Sequence, residues 1–366
     1  MNSERSTSID ALRGFAVVLM IQQHLGVWLT RLGGPRSFVS GPLISLNFLG
    51  GFAAPLFVTL AGWGLARLTR TDPTRPDTTS TALVRRGLVL YGFGVLLNCL
   101  TPHWFTPSSF YVLHLLGVTL VLGPLVRRLS PSVAIGSAPL VVLLAVLLQW
   151  HFRVGAILPN DKLNDTSVPG GALGLALYTG HFPVLPWLAF ALVGYAAGTW
   201  LAAGRVRAAF TLAAALVACG ALARVVGAVG GRSLRGTPFL RVGWFSFYPA
   251  SFAFVLLLAG AAVLAITLAS ELGPRLSRSH PLVLLGRTSL TWMIVHIVLF
   301  REGSEWLGIF RSFSAGVSLL WIALTLVVCA GLSWLWAKID FRYSLEWWLR
   351  ALSGSLRRKN DGLASV

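Results

Sequence analysis

Three histidines stand inside long apolar runs: His24 in Gln22-Gln23-His24, His114 in Val112-Leu113-His114-Leu115, and His296 in Ile294-Val295-His296-Ile297. Imidazole titrates near neutral pH, so such a residue could act as general base on a hydroxyl or an amine. Taken singly, a buried histidine is more often a hydrogen-bonded structural group, but three in one chain point to a shared polar cavity. His24 carries the strongest signal. The amides of Gln22 and Gln23 precede it directly, and three consecutive polar residues within a membrane span must line a cavity or another helix rather than lipid.

Upstream of His24, Asp10 and Arg13 sit three apart in Ser8-Ile9-Asp10-Ala11-Leu12-Arg13-Gly14. That spacing places them on one face of a helix start, within reach of an ion pair. The pair either caps and anchors the helix, where an acidic first turn is favourable, or serves the same site. At 1.5 Å per residue, Asp10 and His24 are about 21 Å apart along one helix. Arg85-Arg86-Gly87 and Leu285-Gly286-Arg287-Thr288-Ser289 open two other apolar runs. Arginines there could hold the phosphates of a nucleotide-like cofactor, or anchor the helices at a cytoplasmic surface. Cys99, Cys219 and Cys329 are odd in number, lie within apolar runs and have no metal-ligand spacing, so they read as buried small hydrophobes and no metal is expected.

The elements that must position these residues are membrane helices. Hydrophobic residues make up 55% of the 366 positions and charged residues only 11%, with a mean hydropathy of +0.74. A water-facing surface requires roughly 25% charged residues, which excludes a soluble globular fold. The net charge of +18 would ordinarily raise nucleic acid as a partner. The basic residues instead form short clusters between apolar runs, the pattern of cytoplasmic loops, so no nucleic-acid binding is expected.

With about 20 apolar residues needed per crossing, ten spans are expected near 12–31, 44–66, 87–101, 109–126, 132–150, 184–203, 208–228, 246–269, 282–300 and 313–337. The first follows Asp10 and Arg13 without a small-residue cleavage site and reads as a retained span. With the N-terminus inside, Lys and Arg in the inner segments outnumber those outside two to one. This predicts both termini in the cytoplasm. Residues 1–352 then form one polytopic transmembrane domain in the lipid bilayer, and 353–366 a polar, disordered cytoplasmic tail. The longest outer loop, 151–183, contains Asn160-Asp161-Lys162-Leu163-Asn164-Asp165 and is either a functional lid or a solvated connector. Pro55, Pro183 and Pro186 are expected to bend or interrupt their spans, and Gly50-Gly51 with Ala61-Gly62-Trp63-Gly64 to allow close helix packing.

Several segments resemble membrane acyltransferases related to heparan-α-glucosaminide N-acetyltransferase. They are Ser8–Ala16, Ala54-Pro55-Leu56-Phe57 with Leu60-Ala61-Gly62, Arg85-Arg86-Gly87, Val112–Gly117, Phe182–Trp187 with Gly194 and Gly198, and Leu285–Leu290 with His296. They occur in the family's order and cover most of the chain from 8 to 300. The spacing from Asp10-x-x-Arg13-Gly14 to His24 is also similar to the first helix of the acyltransferase 3 family, where the corresponding histidine is regarded as catalytic. Ser344–Arg350 resembles a third related group of bacterial membrane proteins. One departure stands out: the lysosomal enzyme has Asn where His24 stands, and its catalytic histidine falls near Gly41 of this chain.

The resemblance implies an all-α transmembrane acyltransferase bundle in the inner (plasma) membrane, with acetyl-CoA or another acyl-CoA as co-substrate and a sugar-like or glycan acceptor. Catalytic roles fall to His24, Asp10 and Arg13, the last two holding the inner end of the first helix. Cofactor contacts fall to Arg85, Arg86 and Arg287, and acceptor contacts to Gln23, His114, His181 and His296. A homodimer is compatible with such folds. Two other readings stay open: a multi-pass transporter or permease for a small polar solute, and a non-catalytic relative that keeps the cavity.

Overall fold

The computed structural model describes residues 7–31, 40–68, 78–154, 163–230, 245–271 and 276–354. Its helices are α1 (Thr7–Leu29), α2 (Ser40–Gly50), α3 (Ala53–Leu68), α4 (Thr78–Leu100), α5 (Val112–Val121), α6 (Gly123–Val126), α7 (Pro131–His151) and α8 (Gly171–Gly174). They continue as α9 (Val184–Ala202), α10 (Val206–Gly230), α11 (Phe252–Glu271), α12 (Pro281–Arg287), α13 (Ser289–His296), α14 (Ala315–Ala337) and α15 (Leu345–Leu352). Wider π-type turns extend α8 over Leu175–Thr179 and α13 over Ile297–Glu302. Among the described residues there is no strand, only an isolated parallel bridge between Thr30 and Phe313.

Eight helical stretches are long and apolar enough to cross a membrane. A ninth arises if α12 and the helix running from Ser289 to Trp306, bent by 77° at their junction, count as one span. Large apolar side chains such as Leu140, Leu320 and Val327 lie on the outside of these helices, a surface suited to hydrocarbon. The protein is an all-α, multi-pass membrane protein, as expected.

The expected spans differ in detail. The fourth, 109–126, is a ten-residue helix, α5, closed off by Gly123 and Pro124 at the start of α6. The third begins at Thr78 rather than Gly87, so Arg85 and Arg86 lie within α4, not before it. The second is divided at Gly51-Phe52 into α2 and α3. Pro55 falls in the first turn of α3 and Pro183 caps α9, positions where a missing N–H costs nothing. Only beside Pro186 does the backbone leave helical geometry, at Leu185. Cys329 is buried, but Cys99 and Cys219 are exposed on their helices. The stretch 155–162 of the outer loop and residues 355–366 of the tail lie outside the described residues.

The chain divides into two compact units, one of Met1–Phe57, Cys99–Trp104 and Leu268–Val366, the other of Val58–Asn98 and Phe105–Thr267. In the first, α1 packs against α12, α2 and α14. Its contact with α12 is backbone on backbone. A Cβ on Gly14 would overlap the carbonyl of Leu282, and a Cβ on Gly286 would overlap the carbonyl of Asp10. Each helix supplies the glycine that admits the other, the small-residue packing that membranes favour where burial against lipid gains nothing. In the second unit α9 packs against α7, α10 and α5. Glycines again set the approach: Gly62 meets the carbonyl of Ala191, and Gly194 that of Thr59.

Replacing Gly286 with Ala is expected to lower stability by about 1–3 kcal/mol, the usual cost of overpacking a tight contact, read as a lower unfolding midpoint in detergent. Gly331→Ala in α14, where a Cβ meets nothing within 4 Å, should leave the midpoint unchanged or raise it.

Candidate active site

His24 lies on α1 and His296 is the last residue of α13. The two imidazoles are joined by a 2.8 Å hydrogen bond between His24 Nδ1 and His296 Nε2. Their planes differ by 7° while the ring centroids are 5.1 Å apart. With the nitrogens this close, that centroid separation is about one ring width more than the N–N distance. The rings are therefore bonded edge to edge in one plane rather than stacked. One turn along α1, Trp28 stacks on His24 at 4.6 Å and lies nearly parallel to His296. Trp104 stands edge-on to both His24 and Trp28.

The neighbours of His24 on α1 also find partners across helices. Gln22 Nε2 donates to Asn47 Oδ1 on α2 at 2.9 Å, and the side-chain carbons of Gln23 with the carbonyl of Leu19 face Gly50 of α2. Thr30 Oγ1 donates to Ser318 Oγ of α14 at 2.9 Å. The end of α1 is clamped by backbone bonds from Arg311 N to Trp28 O and from Phe313 N to Leu29 O.

Beyond His296 the π-type turn presents Arg301 and Glu302, both buried. Such widened turns recur at functional sites because they re-aim side chains. The Glu302 carboxylate accepts from Trp306 Nε1 at 2.9 Å and from the backbone N–H of His103 at 3.2 Å, and bonds His103 Nδ1 at 2.5 Å. Arg301 pairs with Glu305 at 2.7 Å, donates to the carbonyl of His103 and lies over Phe310 and Trp104. Trp104 is thus held between the histidine pair and a buried ionic group.

The opposite end of α1 carries the Asp10–Arg13 ion pair at 3.1 Å. The Asp10 carbonyl is the atom that Gly286 approaches, so the pair stands where α1 crosses α12. Arg287, in the last turn of α12, lies 4.1 Å from the ring centre of Phe341. The bend follows at Thr288, whose hydroxyl turns back to the carbonyl of Leu284 and to Ser333, leaving the start of α13 without a local cap. Glu346 of α15 takes that place. Its carboxylate accepts from Leu290 N at 2.6 Å, Thr291 N at 3.2 Å and Thr291 Oγ1 at 2.7 Å. Burial pushes the Glu346 carboxyl above its ordinary range, and these hydrogen bonds oppose the rise.

In the second unit Arg85 is exposed and Arg86 half-buried on α4. His114 is buried, and its Nδ1 accepts from the backbone N–H of Tyr111, capping α5, while its ring meets Tyr91 at 4.8 Å. His181, three residues before α9, is enclosed by the rings of Phe105, Tyr111 and Tyr248. Burial pulls its imidazole from 6.5 down to about 3. The outer loop packs onto its own unit: Tyr178 donates to the carbonyl of Pro169, and Gln149 to the carbonyl of Tyr178.

Residues 5–235 match the catalytic region of heparan-alpha-glucosaminide N-acetyltransferase. The chain belongs to this acetyltransferase family. Among curated proteins, none matches it. The matched stretch takes in α1 to α10, and with them His24, Arg85, Arg86, His114 and His181. Arg287 and His296 lie beyond it.

The structure therefore brings together two of the residues singled out in sequence, His24 and His296, and leaves Asp10 about 21 Å and Arg13 about 16 Å along α1 from His24. It adds Trp28, His103, Trp104, Arg301, Glu302 and Glu346. Trp28 could have been found as the residue one turn beyond His24, on its face of the helix. Arg301 and Glu302 left a fainter trace, as charges immediately following an apolar run.

Glu346→Ala should cost about 1–3 kcal/mol by stranding two N–H groups at the bend, with a smaller loss for Glu346→Gln. Unfolding midpoints in detergent check the order. For His181, the unfolded chain takes up a proton near pH 6.5 that the folded chain refuses until about 3. Its contribution is complete above that window and is lost as pH falls through it. His181→Gln should flatten the fall in stability between about pH 6 and 4 by up to ~1.4 kcal/mol per pH unit, measured by unfolding at each pH.

Proposed function

We propose that this protein is a plasma-membrane acetyltransferase that takes an acetyl group from acyl-CoA on the cytoplasmic side. The acceptor is the amine or hydroxyl of a sugar-like molecule at the outer side. The observation that carries the reading is His24. It lies in the stretch matching the acetyltransferase family, in a membrane helix, and bonded to a second imidazole. In this reading both termini are cytoplasmic, in keeping with the two-to-one excess of Lys and Arg in the inner segments.

His24 takes the proton from the acceptor N–H or O–H as the acceptor atom attacks the thioester carbonyl. The new C–N or C–O bond forms, the C–S bond breaks, and the proton leaves with the CoA thiolate as the free thiol. Arg287 binds phosphate groups of the acyl-CoA at the bend between α12 and α13. The Asp10–Arg13 pair holds the start of α1. Trp28 and Trp104 wall the base and keep water from it.

Isothermal titration of purified protein in detergent with acetyl-CoA tests this. Wild type should bind. Arg287→Ala should weaken binding about tenfold or more, the loss of a charge-assisted hydrogen bond. His24→Ala should bind normally yet lose about 10²–10⁴-fold in acetyl transfer. Absence of binding to acetyl-CoA and to longer acyl-CoAs would turn the reading toward a transporter.

A further inference from the structure

We infer that His296 is a positioning residue that fixes the tautomer of His24 and so puts the lone pair of the base on Nε2. This rests on the acetyltransferase reading for its consequence, though not for its geometry. The chain of hydrogen bonds starts at a group with a single option. The carbonyl of Trp292 can only accept, and His296 Nδ1 lies 2.6 Å from it; Nδ1 of His296 therefore carries a proton. Neutral imidazole has one N–H, so Nε2 of His296 holds a lone pair. At 2.8 Å from it stands Nδ1 of His24, which must donate. The proton of neutral His24 is then on Nδ1, and its Nε2 is the basic nitrogen.

The geometry suits this use. The edge-to-edge arrangement, with planes 7° apart, aligns the N–H of one ring with the in-plane lone pair of the other, as a strong hydrogen bond requires. His296 is itself held at both sides. Its Nδ1 is tied to α13, and the parallel ring of Trp28 lies 5.8 Å away. When His24 takes the acceptor proton at Nε2, the positive charge on the imidazolium faces the His296 lone pair. His296 gains and loses no proton. It orients the base and stabilises its charged form, the part that the carboxylate plays behind the histidine of serine hydrolases. His296 lies beyond the stretch 5–235 that matches the family, and the pairing is read from the contact itself.

The test compares His296→Gln and His296→Leu with wild type. The Gln side-chain oxygen can still accept from His24 Nδ1, whereas Leu cannot. Nitrogen-15 NMR of the histidine rings in micelles, assigned with His24→Ala, reads the protonated nitrogen directly. We expect the proton of His24 on Nδ1 in wild type and in His296→Gln, and a shift toward Nε2 in His296→Leu. The kcat of His296→Leu should fall about 10²-fold or more, that of His296→Gln should stay within about tenfold of wild type, and acetyl-CoA binding should be the same in all three. A His24 proton on Nε2 in wild type would overturn the inference, as would equal losses of kcat in the Gln and Leu variants at equal unfolding midpoints. Failure of wild type to transfer acetyl groups would instead retire the acetyltransferase reading, with the spectrum still deciding where the His24 proton sits.

Discussion

Hydrocarbon offers no hydrogen-bonding partner, so each polar group that α1 carries into the bilayer has to be met by another helix. Gln22 is met by Asn47 on α2, His24 by His296 on α13, and Thr30 by Ser318 on α14. These bonds bring three helices to one, and the backbone bonds at Trp28 and Leu29 close its end. An imidazole within a membrane span is costly unless it is partnered. Here the partner also orders the pair, because the carbonyl of Trp292 leaves the two imidazoles a single arrangement of protons while both rings are neutral.

The same constraint governs the bent segment. A 77° bend exposes backbone N–H groups that a straight helix would satisfy, and they must be met within the protein. Thr288 cannot meet them, since its hydroxyl is already engaged with Leu284 and Ser333. The carboxylate of Glu346 reaches in from α15 instead. Between that bend and the π-type turn, α13 is only eight residues long, and His296 ends it. The position of the second imidazole is thus set at one side by a cap more than fifty residues away in sequence and at the other by a locally widened helix. Arg287, in the last turn of α12, and the capping carboxylate of Glu346 both lie at the bend.

Much of this was legible in the sequence, for reasons that follow from lipid as solvent. Apolar runs of the right length are hard to mistake, and nearly all the expected spans are present. His24 and His296 stood out because a polar residue in such a run must have a partner. That the two are each other's partner could not be read, since 272 positions separate them and no local pattern encodes a contact between helices. The aromatic walls went unrecognised because Trp28 and Trp104 look like any interfacial tryptophans. The burial of Arg301 depends on a widened turn that leaves no periodicity to detect. The fourth span was overread because hydropathy does not register the break that Gly123 and Pro124 impose on α5. The family, by contrast, was visible in short motifs kept in order over most of residues 8–300.

The proposed function is direct acetyl transfer from acyl-CoA on one face of the membrane to an acceptor on the other, with His24 as general base. Proteoliposomes with the cytoplasmic face outward, loaded with a panel of amino sugars and given acetyl-labelled CoA outside, test it most directly. The account predicts labelled, acetylated sugar in the lumen with wild type and none with His24→Ala. Label reaching only acceptors supplied on the same side as the acetyl-CoA, or reaching lumenal sugar equally with His24→Ala, would contradict it.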